Sequence, residues 1–182
     1  MDIRKIPFKK SMKFLTLLLT SMIIVTASAT VYYSLSLESE VTVGAPVVKF
    51  VTAEDFTGDL TDSWVRLNLK SYPNTTLTYE KAINISNTDG SNGHTFWLTP
   101  GDPTGDSSSN WGFINYTVYN NAGAVQDTLN YTGGASWSNT GQTSQMTIGA
   151  SEEWTIRVVT KSPSTAINGA VCNIVISVDV NE

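Results

Sequence analysis

The sequence predicts an all-β fold, and three features of residues 30–182 support that prediction. Apolar and polar residues alternate in short runs, as they do in strands that bury one face. Clusters of Gly, Asn, Asp and Pro, which favour turns, separate the runs. No stretch in this range repeats its apolar residues at helical spacing. This combination is typical of a single antiparallel β-sandwich or barrel domain.

The alternation places the strands one after another along the chain. They are expected at Val31–Val43, Val47–Thr52, Trp64–Leu69, Leu77–Ile85, His94–Leu98, Phe113–Tyr119, Val125–Tyr131, Ser144–Ile148, Trp154–Thr160 and Val171–Val180. The clearest hairpin has its turn at Asn120–Gly123, because Asn and Gly tolerate the positive φ angles of tight turns. The longest connection, Gly101–Asn110, is polar, and we expect a mobile loop there.

Residues 1–29 differ from the rest and predict a secretory signal peptide. Five basic residues occupy positions 1–13, an uncharged apolar run covers Phe14–Val25, and Ala27-Ser-Ala29 follows. A basic segment, a short apolar core and a small-residue exit are the three parts of such a signal. We expect cleavage between Ala29 and Thr30, which makes the mature protein extracellular and limits its membrane contact to export.

An alternative interpretation retains part of this region as a helix. No charged residue occurs between Phe14 and Leu37, which is enough to span a bilayer or to form the core helix of a type IV pilin. From Thr30 onwards, however, the residues are β-branched, aromatic and alternating, which favours a strand over a helix. Cleavage is therefore the preferred prediction.

Charge and cysteine content limit the partners of the mature chain. Residues 1–29 contain five of the 11 basic and one of the 16 acidic residues, so their removal changes the net charge from −5 to about −9. Such an acidic surface argues against nucleic acid or anionic lipid as a partner. Cys172 is the single cysteine, so no internal disulfide can form, and its alternating apolar surroundings predict a buried, inert thiol.

Asn-x-Ser/Thr sequons indicate possible sites of modification. They lie at Asn74, Asn84, Asn115 and Asn130. Each is a weak signal in a chain rich in Asn and Thr. Together with an export signal they predict N-glycosylation, and hence exposure of these side chains.

Thr30–Val43 is the most unusual segment, because it alternates over 14 residues, about twice the length of most globular strands. Its apolar face consists of Val31, Tyr33, Leu35, Leu37, Val41 and Val43. Gly44-Ala-Pro46 follows as a plausible pivot. The strand could pair inside its own sandwich, or it could complete the sheet of a second copy and so build a head-to-tail filament. The residues alone leave both possibilities open.

A resemblance to a known family favours the filament. The residues that carry it are Ala29-Thr-Val-Tyr-Tyr-Ser-Leu-Ser-Leu37, Val47-Val-Lys-Phe-Val51 with Glu54-Asp55, Trp97-Leu-Thr-Pro-Gly-Asp102, Glu153-Trp-Thr-Ile-Arg-Val-Val159 and the Asn168-Gly169 turn. In this layout the chain resembles the TasA/camelysin-like secreted fibre proteins and, more closely, the archaeal bundling pilins. The resemblance implies a jelly-roll-like sandwich with a protruding N-terminal donor strand, homopolymeric filaments of a pilus or biofilm matrix, and lateral bundling of those filaments. The long Gly101–Asn110 loop departs from the family pattern and leaves the bundling surface open.

Enzymatic chemistry is not expected from the residues. His94 is the only histidine, whereas a zincin motif needs two histidines on a helix. A Ser-His-Asp triad would also need His94, and no nucleophile-elbow motif is present. We therefore predict no catalytic site, and we expect His94 at the surface end of a strand.

Two other kinds of site are weaker possibilities. No metal or other cofactor is expected, apart from Ca²⁺ held weakly by acidic loops. Those loops contain Asp102 and Asp106 in one place, and Glu54, Asp55, Asp59 and Asp62 in another. An alternative function is a monomeric or anchored carbohydrate-binding jelly roll, whose sugar platform would use Trp97, Trp111 and Trp137. Aromatic residues in alternating strands are more often part of the core.

Overall fold

The computed structural model describes Lys13 and residues 46–181. The chain divides into two units, residues 1–43 and residues 44–182, and the second contains nearly all of the described residues. The predicted signal peptide, its cleavage site at Ala29 and Thr30, and the predicted donor strand and pivot at residues 30–45 lie outside the described residues. They stay predictions.

Residues 46–181 form twelve β-strands and one short 3₁₀ helix at Ser108–Asn110. In chain order the strands are β1 (Val48–Val51), β2 (Gly58–Leu60), β3 (Trp64–Ser71), β4 (Thr76–Asn87), β5 (His94–Pro100), β6 (Thr104–Gly105), β7 (Phe113–Tyr119), β8 (Val125–Thr132), β9 (Ser138–Asn139), β10 (Met146–Ile148), β11 (Glu153–Lys161) and β12 (Ala170–Asn181).

The strands form two antiparallel sheets. Sheet A has the order β1-β4-β11-β7-β8-β9, and sheet B has the order β10-β5-β12-β3-β2. Strand β6 also belongs to sheet B and pairs with Cys172 and Asn173 of β12. Most connections between long strands cross from one sheet to the other, which is the pattern of a jelly roll. The predicted all-β, jelly-roll-like antiparallel sandwich is therefore confirmed for the described residues.

The core lies between the sheets and follows the period-two pattern of the sequence. In β11 every second side chain from Trp154 to Thr160 is buried, and β12 buries Ala170 through Val178 in the same way. Aromatic rings connect the elements. Phe96 of sheet B meets Trp154 of sheet A edge to face at 5.7 Å between ring centroids. Such pairs add specific geometry to the apolar burial.

Each strand expected within the described residues is present, with ends that differ by a few residues. The hairpin at Asn120–Gly123 is also confirmed, since β7 and β8 pair on either side of it. Gly123 has φ +77°, and the Asn120 side-chain oxygen accepts the Ala122 and Ala124 amides at 3.1 and 2.8 Å. The strands that were not predicted, β2, β6 and β9, have only two or three residues, too few to show alternation.

The long polar connection is more structured than expected. Besides β6 it contains the 3₁₀ helix, in which Ser108 and Asn110 are buried. The Asn110 side-chain oxygen accepts the amide of Ile167 at 2.8 Å, and the Asn110 carbonyl accepts the Ser71 hydroxyl at 2.9 Å. These bonds tie the connection to the loops at its end of the sandwich. A polar composition had predicted only a mobile loop.

Candidate functional site: the open side of the sandwich

One side of the sandwich is covered by residues 48–62, and we call it the closed side. Here β1 pairs with β4 and completes the edge of sheet A, while β2 pairs with β3 and completes the edge of sheet B. The segment between them bonds to both sheets. The Asp55 amide donates to the Lys81 carbonyl of β4 at 3.0 Å, and the Asn68 amide of β3 donates to the Thr57 carbonyl at 2.9 Å. Backbone of this side thereby covers Lys81 and Asn84–Asn87 of β4 and Val65–Asn68 of β3, whereas within the described residues no strand pairs with the outer edge of Thr76–Glu80.

The opposite side is bounded by β8 of sheet A and β10 of sheet B, and we call it the open side. Strand β9 pairs with β8 only at Tyr131 and Thr132, and the Thr140 amide adds a bond to the Asn130 carbonyl at 3.1 Å. Among residues 46–181, no strand pairs with the outer edge of Val125–Leu129 or with the outer edge of β10. We call the gap between Val125–Leu129 and residues 144–148 the open seam.

One carboxylate bridges the open seam. Asp127 accepts the Ser144 amide at 2.7 Å and the Ser144 hydroxyl at 2.6 Å through Oδ2. Through Oδ1 it accepts the amide of Thr128 at 2.7 Å. It therefore satisfies backbone N–H groups on both sides of the gap, in a position where a neighbouring strand would normally supply carbonyl oxygens.

The register explains why a charged side chain lies there. Asp127 is paired with Val118, which is fully buried, whereas Tyr119 is paired with Val125, so Gln126 is the extra residue of a β-bulge. Bulges are common at sheet edges, where they redirect side chains. Partial burial raises the pKa of Asp127, but the hydrogen bonds from Ser144 and Thr128 outweigh it, and the pKa lies below its usual value. The bridging side chain is thus a carboxylate at neutral pH.

Val125 is the first residue of β8, at the end of the open seam beside the β7–β8 turn, which we call the mouth of the seam. Its side chain is 57% exposed. It is one of few large apolar side chains in residues 46–181 that remain more than a third exposed. A single exposed valine is unremarkable on a surface, but here it adjoins an unpaired strand edge. The open seam therefore combines unpaired backbone with apolar surface.

The first described residues of the domain lie at the same end of the sandwich as this mouth. The Thr88 amide donates to the Val47 carbonyl at 2.8 Å, and the Asn87 amide donates to the Glu152 carbonyl at 2.9 Å. The Asn121 side chain in the β7–β8 turn donates to the Glu152 carboxylate at 3.2 Å. We call this the leading end, because β1 starts from it.

Asp127 and Ser144 were not among the residues singled out in the sequence. A signal was nevertheless present, because Asp127 occupies an apolar position in the alternation Val125, Asp127, Leu129, Tyr131. A charged residue on the inward face of a strand is a known means of protecting a sheet edge. That pattern could have identified β8 as an edge strand.

The structure brings His94 to the start of β5, where Nε2 lies 3.0 Å from Asp89 Oδ2. Hydrogen bonds from His94, the Ser91 amide and the Asn92 side chain lower the pKa of Asp89 well below its usual range. His94 is thus partly buried and in hydrogen-bond contact with Asp89 rather than freely exposed. No nucleophilic side chain completes this pair into a triad among the described contacts.

The predicted buried thiol is confirmed. Cys172 is fully buried on β12, and burial raises the pKa of its thiol to about 12. The thiol is therefore protonated at physiological pH and lies away from solvent. It serves as a small apolar group in the core.

The acidic loops are distributed over separate partners. Asp106 accepts the Val171 amide at 2.7 Å, and Asp55 accepts the Lys81 amide at 3.1 Å. Three further acidic residues of these loops form ion pairs. They are Glu54 with Lys81 at 3.0 Å, Asp62 with Lys49 at 3.9 Å, and Asp59 with Arg66. In the described part of the chain, no three acidic, histidine or cysteine side chains converge as metal ligands would.

The three tryptophans of the sugar-platform hypothesis do not share a surface. Trp111 is only 1% exposed, and Trp137 packs against it at 6.5 Å between ring centroids. Trp97 lies on β5 between the buried Phe96 and Leu98, so it faces outward from sheet B. Two of the three therefore belong to the core and its margin.

The sequons differ in exposure. Asn74 is exposed in the β3–β4 turn with φ +52°. Asn84, Asn115 and Asn130 are half-buried on the outer face of sheet A. Asn115 and Asn130 are direct cross-strand partners, and the Asn84 side chain donates to Glu153 at 2.7 Å. Asn74 has the exposure that the sequence predicted for all of them.

Comparison with models of known protein families finds no match, and comparison with curated proteins finds none either. Within the residues that the structure describes, no helix has the length and apolar character needed to cross a bilayer.

Proposed function

We propose that the protein is the structural subunit of an extracellular filament, in which the N-terminal strand of one copy completes a sheet of the next copy. The observation that carries the proposal is the open side of the sandwich. One sheet edge there has no strand partner over Val125–Leu129 within the described residues, and a single carboxylate bridges it to the other sheet. Exposed edges of this kind pair readily with an added strand.

The sequence supplies a matching strand in Thr30–Val43. Its six apolar side chains would contribute roughly 9–18 kcal/mol of gross burial, at ~1.5–3 kcal/mol each. Ordering the backbone costs on the order of 1–2 kcal/mol per residue, a similar total. Burial alone is therefore insufficient, and a preformed edge with unpaired backbone groups is required. The open side of the sandwich offers such an edge.

The contact is head to tail, because each copy gives one strand and accepts another. Such a contact does not close on itself and extends into a filament. The proposal includes export by the predicted signal peptide, glycosylation at the sequons, and lateral association of filaments at the cell surface. A catalytic role lacks support in the described residues, since His94 and Asp89 form an isolated pair.

Substitutions on the two faces of the donor strand test the proposal. In Leu35→Asp a charge replaces an apolar side chain that would be buried, whereas Ser36→Asp places the same charge on the polar face and serves as a matched control. We expect the purified mature wild type and Ser36→Asp to form filaments in negative-stain micrographs. Leu35→Asp should stay monomeric by light scattering, with an unchanged β-type circular dichroism spectrum. Filaments formed equally well by Leu35→Asp would refute the proposal.

The mass of the secreted protein distinguishes cleavage from retention of a helix. We expect the N-terminus to be Thr30 in intact-mass spectra after enzymatic deglycosylation. A mature chain that still contains Phe14–Val25 would instead support a type IV pilin, whose filaments assemble through that apolar helix.

A further inference from the structure

We infer that the donated strand is accepted at the open seam, beside β8, and that Asp127 is an internal plug that the incoming strand displaces. The inference rests on the proposed function and specifies its acceptor surface. The partner is residues 31–43 of a second copy of this chain. The hydrogen bonds of Asp127 and the lengths of the two strands support it.

Hydrogen bonding makes the plug and the added strand mutually exclusive. The Thr128 amide belongs to the outer edge of β8 and is occupied by Asp127 Oδ1 at 2.7 Å. A strand added to that edge would offer a backbone carbonyl to the same N–H group. The Asp127 carboxylate also fills the space between β8 and Ser144. It must therefore rotate out and become solvated before a strand can pair there.

The lengths of the two strands agree with this arrangement. Strand β8 has eight residues, which extend over about 27 Å at about 3.4 Å per residue. Seven or eight residues of the donor, including Val31, Tyr33, Leu35 and Leu37, would cover that edge. The two-residue strand β9 occupies only its last part and is exposed, so it is easily displaced. Val41 and Val43 would then lie at the junction between the donor copy and the acceptor copy.

Reach allows both a second copy and the chain's own segment to supply the strand. Strands β4, β11 and β7 separate β1 from β8 in sheet A. A position beyond β8 is therefore five strand spacings, or about 24 Å, from β1. About seven extended residues are needed to cross that distance. They would be residues 41–47, so the same four apolar side chains would enter the seam from either source, and the choice of a second copy rests on the proposed head-to-tail filament.

Photo-cross-linking in assembled filaments tests the acceptor surface. The full mature chain would carry benzoylphenylalanine at position 37, and equal amounts of ¹⁴N- and ¹⁵N-labelled subunits would be mixed before assembly. We expect mixed-isotope cross-links from position 37 to residues 125–129 or 144–148. Mixed-isotope cross-links to the closed side, residues 48–71, would overturn the seam but leave the filament intact. Cross-links within single copies only, without filaments, would refute the proposed function as well.

The plug has its own test in the rate of assembly. Asp127→Ala removes the bridge, and Asp55→Ala is a matched control, because Asp55 also accepts a backbone amide, that of Lys81, but on the closed side. Alanine is chosen because asparagine at position 55 would create a new sequon with Thr57. We expect Asp127→Ala to assemble about tenfold faster, a factor that corresponds to about 1.4 kcal/mol. Asp55→Ala should assemble at the wild-type rate.

A smaller change protects the test against misfolding of Asp127→Ala. Ser144→Ala removes only the hydroxyl bond to Asp127 and retains the amide bond. It should accelerate assembly two- to threefold. Unchanged or slower assembly of both variants, with cross-links still in the seam, would overturn the role of Asp127 while leaving the acceptor surface and the filament in place.

Discussion

The two sides of this sandwich cover their outer strand edges in different ways. On the closed side, backbone of residues 48–62 covers Lys81 and Asn84–Asn87 of β4 and Val65–Asn68 of β3. On the open side, two residues of β9 and one carboxylate cover the edge formed by β8 and β10. A side-chain bridge is easily replaced by another strand, whereas a paired backbone is not.

Under the proposed function, the closed side contributes mainly to the stability of the fold, and the open side contributes mainly to association between copies. An edge that is covered by its own chain contributes to folding and resists pairing with neighbours. An edge protected by a single charged side chain remains available, and the charge limits unspecific pairing until a suitable partner arrives. We therefore expect changes on the closed side to alter the free energy of unfolding strongly, and changes on the open side to alter association more than folding.

The largest contrast is expected between two apolar side chains. Phe50 lies on β1 and is 1% exposed, whereas Val125 lies at the mouth of the seam and is 57% exposed. Phe50→Ala should lower the free energy of unfolding by about 3–5 kcal/mol, because it leaves a cavity in the core. Val125→Ala should lower it by less than about 0.5 kcal/mol. Urea denaturation of monomeric protein, kept from assembling by Leu35→Asp, measures both. Similar losses for the two variants would contradict the comparison.

A second contrast concerns two glycines with positive φ. Gly58 is in β2 on the closed side, with φ +151°, and a β-carbon there would collide with the carbonyl of Arg66. Gly123 is in the β7–β8 turn, with φ +77°, and a β-carbon there would have no neighbour within 4 Å. We expect Gly58→Ala to cost about 2–3 kcal/mol, through collision and strain together. Gly123→Ala should cost about 1 kcal/mol, from strain alone. Thermal unfolding measures both losses of stability. A larger loss for Gly123→Ala than for Gly58→Ala would contradict this expectation.

The smallest expected effect is the pH dependence of the Asp127 bridge. The pKa of Asp127 is lower in the folded protein than its unfolded value of about 4, so its contribution is complete above about pH 4. The contribution is lost as the pH falls through the folded-state pKa. Asp127→Ala should therefore lower stability by about 1 kcal/mol at pH 7, after allowance for solvent screening. The difference from wild type should approach zero below the folded-state pKa.

The quantity to measure is the difference in the free energy of unfolding between wild type and Asp127→Ala. Asp89 and Glu152 also have lowered pKa values, from hydrogen bonds to His94 and to the Gly149 amide respectively, so wild type itself loses stability in acid. Subtracting the unfolding curves isolates the bridge. A difference that stays constant as the pH falls from 7 to below the folded-state pKa of Asp127 would show that the bridge is not charge-dependent.

Much of the fold could be predicted from particular residues. Trp154, Ile156 and Val158 alternate with polar residues, and they form the buried face of β11 as expected. Asn120 and Gly123 marked a turn whose conformation they permit. The short strands β2 and β6 left no comparable pattern, since their pairing depends on the backbone of β3 and β12 rather than on their own side chains.

The candidate site was less predictable. The residues that we propose as the donor strand follow from the alternation of Thr30–Val43, but Asp127 and Ser144 are 17 positions apart, and no local pattern links them. Their contact arises because β8 and β10 end up on the same side of two different sheets. Sequence alternation reports which face of a strand is buried, and a charge within it, as at Asp127, can mark an edge strand, but it does not show which strand lies opposite.

The sequence by itself determined the all-β class, the long strands of residues 46–181 and the β7–β8 turn, because each depends on interactions between near neighbours in the chain, and the two-faced N-terminal segment stays a prediction. Only the tertiary structure decided which edges are covered, since that depends on the order of strands within each sheet. Strand order is set by long-range packing between residues far apart in sequence. The open seam and its carboxylate bridge are products of that order.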